Sequence, residues 1–375
     1  MNEIDMQIRK YIKEKKKLYN TLMSFLENPN FDENEYSKII IFANNQDFEE
    51  EEKEKIQQFC RLITKIADNH HRDELFFRKI FKIINNYQEQ IKQTFSNFEI
   101  FDSFQSNKLI LLYLLENKII VLDEEIYEEI TDKKDYCYFF YLEIKETFGE
   151  RKKRKVSSIE NQLLSIDPNI FENFDEKRHK GVNDSYICSL IREDSLDEFI
   201  EYVARTNIQL TSIVKYSIFE TNRLLIEHEF TSLIEYSAFY GSIQIFQYLR
   251  LNGVELNASL RTFTIHSENA ELFHLIESLK PRMVNLVYWT AYMECFKCHH
   301  NDFADYIKDN LIDQDDLFSV PRGELGEEIF GIILGFHNYA HFPDDFKEEK
   351  GFLLHSYGYN KLGHLLNEKK KKNEL

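Results

Sequence analysis

Eleven glycines and five prolines in 375 residues leave this chain few places to turn tightly. A fold of many hairpins, or one with Gly-rich phosphate loops, needs more of both. Helix is what remains, and the apolar spacing agrees with it. Ile8, Tyr11 and Ile12, then Phe59, Leu62, Ile63 and Ile66, recur at helical intervals with Lys and Glu between them. With 32 Phe and 21 Tyr the chain carries enough apolar surface to fold rather than stay disordered.

Residues 1–150 read as a helical N-terminal region, continued by the pattern over 73–91. The run Glu49-Glu-Glu-Glu52 reads as a solvated face or a helix start, because adjacent carboxylates favour water. Composition breaks at Arg151-Lys-Lys-Arg-Lys155, and a polar stretch follows through Pro168 to Gly181. Residues 151–183 are therefore expected to form a basic and polar linker or long exposed loop. The basic run has a second reading, as a nuclear import signal.

From residue 184 to 375 the sequence repeats. Ser232-Leu-Ile-Glu-Tyr-Ser-Ala-Phe-Tyr-Gly241 predicts a short helix closed by a glycine that can take the left-handed turn. Ile243-Gln-Ile-Phe-Gln-Tyr-Leu249 predicts a second helix, ended by Asn252-Gly253 and leading to Val254-Glu-Leu-Asn257. This unit resembles an ankyrin repeat: Ser232 stands for the initial Thr, Ser237 and Ala238 for the small pair, Gly241 and Gly253 for the turn glycines. Glu255 and Asn257 match the acidic and Asn positions, while Leu233 and Glu235 replace the usual Pro and His. The second-helix motif recurs at 272–276, 303–307 and 362–366, with turn positions at Glu268, His299 and Gly358. A copy over 185–203 fits more weakly, and 310–345 gives no register. Over 181–310 the chain is similar to uncharacterised ankyrin-like proteins of protists. That resemblance implies an all-α, ankyrin-type solenoid, a protein partner and no activity.

A net charge of -18 opposes nucleic acid as a partner. Cys60, Cys137, Cys188, Cys295 and Cys298 are odd in number and irregularly spaced, which fits free thiols in the cytoplasm, with the nucleus as the alternative. The first thirty residues show no apolar core of a secretion signal, and the longest apolar run, 109–115, is too short to span a bilayer. The triplets at Asn183 and Asn257 and the Lys372-Asn-Glu-Leu375 end would matter only in a secreted chain.

Cys295-Phe-Lys-Cys298-His299-His300 has the ligand types of a zinc site. The repeat register instead puts Cys295 at a small-residue position and His299 at the turn. His70-His71-Arg-Asp73-Glu74 reads as a helix junction with Asp73 as cap and both histidines exposed. The chain has no Walker, nucleophile-elbow, zincin or dinucleotide motif. A protein-binding adaptor, monomeric and with no cofactor, metal or small-molecule substrate, is therefore expected. The alternative is a metal-dependent or nucleic-acid-associated factor using residues 295–300 and 151–155.

In ankyrin stacks the concave surface comes from finger tips and the outer ends of first helices. Here those positions are His228, Glu229, Thr231, Phe239 and Tyr240, then His266 and Ser267, then Trp289 and Lys297. Phe239 and Tyr240 are either an exposed binding hot spot or packing against the neighbouring repeat.

Overall fold

The computed structural model describes residues 3–44, 52–279, 287–312, 322–343 and 350–373, and among these every regular element is a helix. One isolated antiparallel bridge joins Ile213 to Ser232. No helix among the described residues is long and apolar enough to cross a membrane. The chain divides into two compact units. One collects Met1–Ala67, Asp73–Asn86 and Asn285–Leu375; the other collects Asp68–Arg72 and Tyr87–Val284.

The stretch 151–183, expected as a linker, holds two helices. Helix Lys153–Ile166 buries Val156, Ile159 and Leu163, and helix Phe174–Lys180 buries Phe174 and Arg178. Lys and Arg are good helix formers, so a basic composition does not end a helix when apolar residues recur at i, i+3 and i+7 behind it. Arg178 is held by Glu143 at 2.6 Å and Asp175 at 2.7 Å.

Helix ends that turn through a left-handed residue include those at Asp194, Gly241, Glu268, His299, His337 and Gly358, with φ of 49°, 70°, 52°, 63°, 54° and 82°. After five of them the next N–H returns to the carbonyl five positions back. These bonds run from Ser195 to Leu190 (3.0 Å), Ser242 to Ser237 (2.9 Å), His300 to Cys295 (3.0 Å), Asn338 to Ile333 (3.0 Å) and Tyr359 to Leu354 (2.9 Å). Such a bond satisfies a carbonyl orphaned at the helix end and aims the chain straight into its next segment. The four turn positions read from sequence, at 241, 268, 299 and 358, all have this left-handed backbone. His337 supplies a turn within the stretch that gave no register.

In the second unit, helix Tyr186–Arg192 packs on Leu196–Thr206, Leu233–Tyr240 on Ile243–Leu251, and Leu260–His266 on Ala270–Leu279. The first helices of these pairs touch one another in order, and the second helices Leu196–Thr206 and Ile243–Leu251 touch as well. Leu233, Ile234, Ala238, Ile245, Phe246 and Leu249 are each 1% exposed or less and belong to one apolar cluster. Ser237, also fully buried, spends its hydroxyl on the Ile234 carbonyl at 2.8 Å, so the small pair brings no unmet polar group into the core.

In the first unit, helix Glu3–Glu27 lies against Glu33–Asn44, against Asn360–Asn373 and against the short turn Tyr339–His341. Its last carbonyls are closed by Lys79, whose buried ammonium donates to the Phe25 and Leu26 carbonyls at 2.7 and 3.2 Å and to that of Asn28. A cation there suits both the orphaned carbonyls and the helix dipole. His337 is 3% exposed, with its Nδ1 2.7 Å from the Tyr359 hydroxyl and 3.2 Å from that of Tyr339. Burial, then the positive charges of Arg61, Lys65 and Lys15, lower its pKa to about 3.

Two outcomes follow from this packing. Phe246→Ala should cost about 3–5 kcal/mol in urea unfolding, the usual penalty for emptying an aromatic core site, and an unchanged midpoint would contradict the burial. His337 is neutral when folded and takes up a proton on unfolding below its ordinary value of 6.5. Its contribution is therefore fully present above pH 6.5 and falls as pH drops toward 3, by about 1.4 kcal/mol per pH unit. His337→Asn, which tolerates the left-handed turn, should flatten that slope between pH 6 and 4 when stability is measured across the range.

Candidate partner-binding site

The finger that carries the expected site is built on a buried carboxylate. Glu220 is 7% exposed and accepts the backbone N–H of Asn183 at 3.0 Å, Thr221 at 2.9 Å and Asn222 at 2.8 Å, and the side-chain amide of Asn222 at 2.7 Å. Arg72 reaches the same segment, donating from Nε to the Thr221 hydroxyl at 2.7 Å and from a terminal nitrogen to the Thr221 carbonyl. Thr221 in turn donates both its N–H (3.1 Å) and its hydroxyl (2.6 Å) to the Gly181 carbonyl. Gly181 has φ +64°, and a Cβ there would meet Leu109 and Thr221 side chains at 2.8 Å, so the close approach requires glycine. Helix Arg223–Glu227 starts from this anchored segment.

The loop after that helix is closed on both sides. Thr231 donates its N–H and hydroxyl to the His228 carbonyl at 3.2 and 2.8 Å, and Val214 and Leu233 exchange backbone bonds across the loop base with Thr231 and Ser212. Ser232 and Glu235 form a capping box that fixes the start of the next helix. Burial alone would raise the Glu235 carboxyl. Hydrogen bonds from Ser232, Ser259 and Asn257 outweigh that and hold it below its ordinary value. The outcome is a turn bonded at its base that projects His228, Glu229 and Phe230 into solvent. Phe230 is 75% exposed. Beside it lies a concavity of about 290 Å³ lined by Glu227, His228, Glu229, Phe230, Thr231, Glu235 and Phe263. The His228 ring stands edge-on to Phe263 at 5.3 Å, Glu227 is paired with Arg223 at 2.7 Å, and among the described residues Glu229 has no ion pair.

No protein-family model, curated protein or solved structure matches this chain. The site has to be judged on its own geometry.

Of the expected surface residues, His228 and Glu229 are exposed at the tip, and Thr231 is buried beneath it as part of the wall. Phe239 is not a surface residue. It is 1% exposed, with the rings of His71 and His266 each 4.9 Å away, and its carbonyl accepts His71 Nε2–H at 3.0 Å. Tyr240 is half-buried, its ring 5.0 Å from His71 and its hydroxyl accepting from Asn222 at 3.2 Å; burial and the nearby Glu220 charge raise its pKa. The pair therefore packs inside the unit, the second of the two readings, with the 68–72 segment as the cover. His71 is accordingly not the exposed residue expected, whereas Asp73 does cap, accepting from Phe76 N–H at 2.7 Å.

His266 is buried at 3%, and Ser267 is half-buried with its hydroxyl on the Thr264 carbonyl at 2.7 Å. Trp289 (6% exposed) and Lys297 (half-buried, paired with Glu294 at 2.8 Å) belong to the other compact unit, and Trp289 packs edge-on to Tyr292 at 5.8 Å. Phe230 is the residue the sequence reading missed. Its signal was position: it lies two residues before the capping Ser232, outside any helix, with polar residues on both sides.

The cysteine–histidine run does not form a ligand set by itself. No three of Cys295, Cys298, His299 and His300 bring ligand atoms within 4.8 Å of one another. Cys295 is fully buried, and burial pushes its thiol well up. His299 forms the left-handed turn and lies 3.1 Å from the Tyr19 hydroxyl. An exposed trio elsewhere, Glu116, Asp175 and His179, does bring its ligand atoms within 4.8 Å, but His179 is bonded there to the Asp175 carbonyl at 2.8 Å and paired with Glu116 at 3.0 Å.

Replacing Glu220 by Gln would turn two donor hydrogens toward N–H groups that now share a carboxylate. Glu220→Gln should lower stability in a denaturant titration by about 1.5–3 kcal/mol, the worth of hydrogen bonds to a buried charge. A midpoint equal to that of the wild type would show that the finger is anchored some other way.

Proposed function

We propose that this chain is a protein-binding scaffold, an ankyrin-type stack that recognises its partner through the finger at residues 228–230 and performs no chemistry of its own. The observation that carries the reading is the exposed Phe230 beside unpaired Glu229, both on a turn held at each end. Large aromatics on a preorganised turn supply contact area at little entropic cost, which is what a binding hot spot needs. The order of contacts among the helix pairs, and the left-handed turns at Asp194, Gly241 and Glu268, support the stacked-repeat reading. Five buried thiols, all free, suit a reducing compartment such as the cytoplasm.

The finger also favours one partner chemistry. Glu229, which has no ion pair among the described residues, and the exposed Phe230 suit a basic segment, whose Lys or Arg can be paired with the carboxylate and lie over the aromatic face. The net charge of -18 steers such a partner. Nucleic acid through 151–155 is the weaker reading, because Glu124 already holds Lys152 at 2.6 Å and lies 3.8 Å from Arg151.

Phe230→Ser and Glu229→Lys, each at an exposed position, should leave the melting temperature within about 2 °C of the wild type, as surface changes do. Affinity for a partner captured from cell extract should weaken by about 2 kcal/mol or more for Phe230→Ser. Undiminished binding by both variants would remove the finger from the interface.

A further inference from the structure

Helix Lys153–Ile166 begins with the wrong charge. The N-terminal turn of a helix carries positive partial charge and favours anions, yet this one holds Lys153, Arg154 and Lys155, and its N-cap Lys152 makes no side-chain capping bond. Glu124 neutralises only the residues before it, Arg151 and Lys152. Lys153, Arg154 and Lys155 are exposed and, among the described residues, carry no ion pair. Glu160, the nearest acidic residue on the helix, is taken by Lys145 at 3.1 Å.

One turn further on are two exposed hydroxyls, Ser157 and Ser158. Ser157 follows Arg154 by three positions and Lys153 by four, so all three share one helix face. They line a shallow, open concavity of about 810 Å³ with Ser158, Asn161 and Ser165, and no acidic side chain borders it. Three unpaired cations ahead of an exposed serine form the charge pattern that an acidic kinase cleft selects. A phosphate at residue 157 would also supply the anion this helix start lacks.

We propose that Ser157 is a phosphoacceptor for an arginine-directed protein kinase, and that Lys153 and Arg154 hold the phosphate once it is in place. In the transfer, the Ser157 oxygen bonds the terminal phosphorus of ATP and the bond from that phosphorus to the bridging oxygen breaks. ADP departs with that oxygen, and the serine proton passes to the kinase. The first turn must loosen to reach the kinase cleft, and Val156 is the buried side chain it has to release.

The test incubates the full chain with the catalytic domain of an arginine-directed kinase and magnesium ATP, and locates phosphate by mass spectrometry. One phosphate per chain is expected on Ser157. It should be absent in Ser157→Ala and slowed at least tenfold in Arg154→Ala, with both variants melting like the wild type. A synthetic peptide of residues 150–161 runs beside them. If the peptide is modified and the folded chain is not, the helix withholds the serine and the proposal fails; it fails equally if phosphate falls on Ser158 or if Arg154→Ala changes nothing. The clamp is read separately by phosphorus NMR. The second phosphate pKa should be lower in the protein than in the peptide and should return to the peptide value in Lys153→Ala. Equal pKa values in protein and peptide would overturn the clamp.

Discussion

Four N–H donors converge on the Glu220 carboxylate, and the geometry of the second unit around the finger follows from keeping them satisfied. A buried anion in an apolar unit is costly unless hydrogen bonds replace its hydration. Here the replacement comes from two stretches of chain, Asn183 and the 221–222 segment beside the carboxylate itself, while Arg72 braces that segment through Thr221. Each of these is fixed by satisfying the others. The helix that leads into the finger starts at Arg223, immediately after the last of the donors, so the projecting loop takes its position from this polar knot together with Leu224, which packs into the apolar core.

That knot was not legible in the sequence, whereas the core was. Helical periodicity and the small pair at Ser237 and Ala238 were enough to name the buried face of helices Leu233–Tyr240 and Ile243–Leu251, because those contacts are made between residues near in sequence. The turn positions at Glu268 and His299 were legible for the same reason, even without glycine. Phe239 and Tyr240 have no local requirement to be buried. Their cover, His71, is more than 160 positions away, and a distance of that kind leaves no trace in spacing. The 151–183 stretch failed differently: its Lys, Arg and Ser composition outweighed a modest apolar stripe that the helix does in fact bury.

Once Phe239, His266 and Trp289 are placed inside their units, the aromatic surface left exposed in the second unit includes Tyr186, Tyr216 and Phe230. Phe230 is one of the large apolar side chains that stay outside, at 75% exposed, and the loop that carries it is closed at its base by the Thr231 and Leu233 bonds.

The first compact unit is assembled from Met1–Ala67, Asp73–Asn86 and Asn285–Leu375. During synthesis, helix Glu3–Glu27 leaves the ribosome long before Asn360–Asn373, the helix that packs along it, has been translated. In the interval the apolar face of Ile4, Ile8, Tyr11 and Ile12 has only its early neighbours to shield it. The earlier helix is thus among the last parts of its unit to be completed, and the intervening unit can close while it waits. A nascent chain with this layout carries that apolar face only partly covered through the whole stretch of translation that separates the two helices.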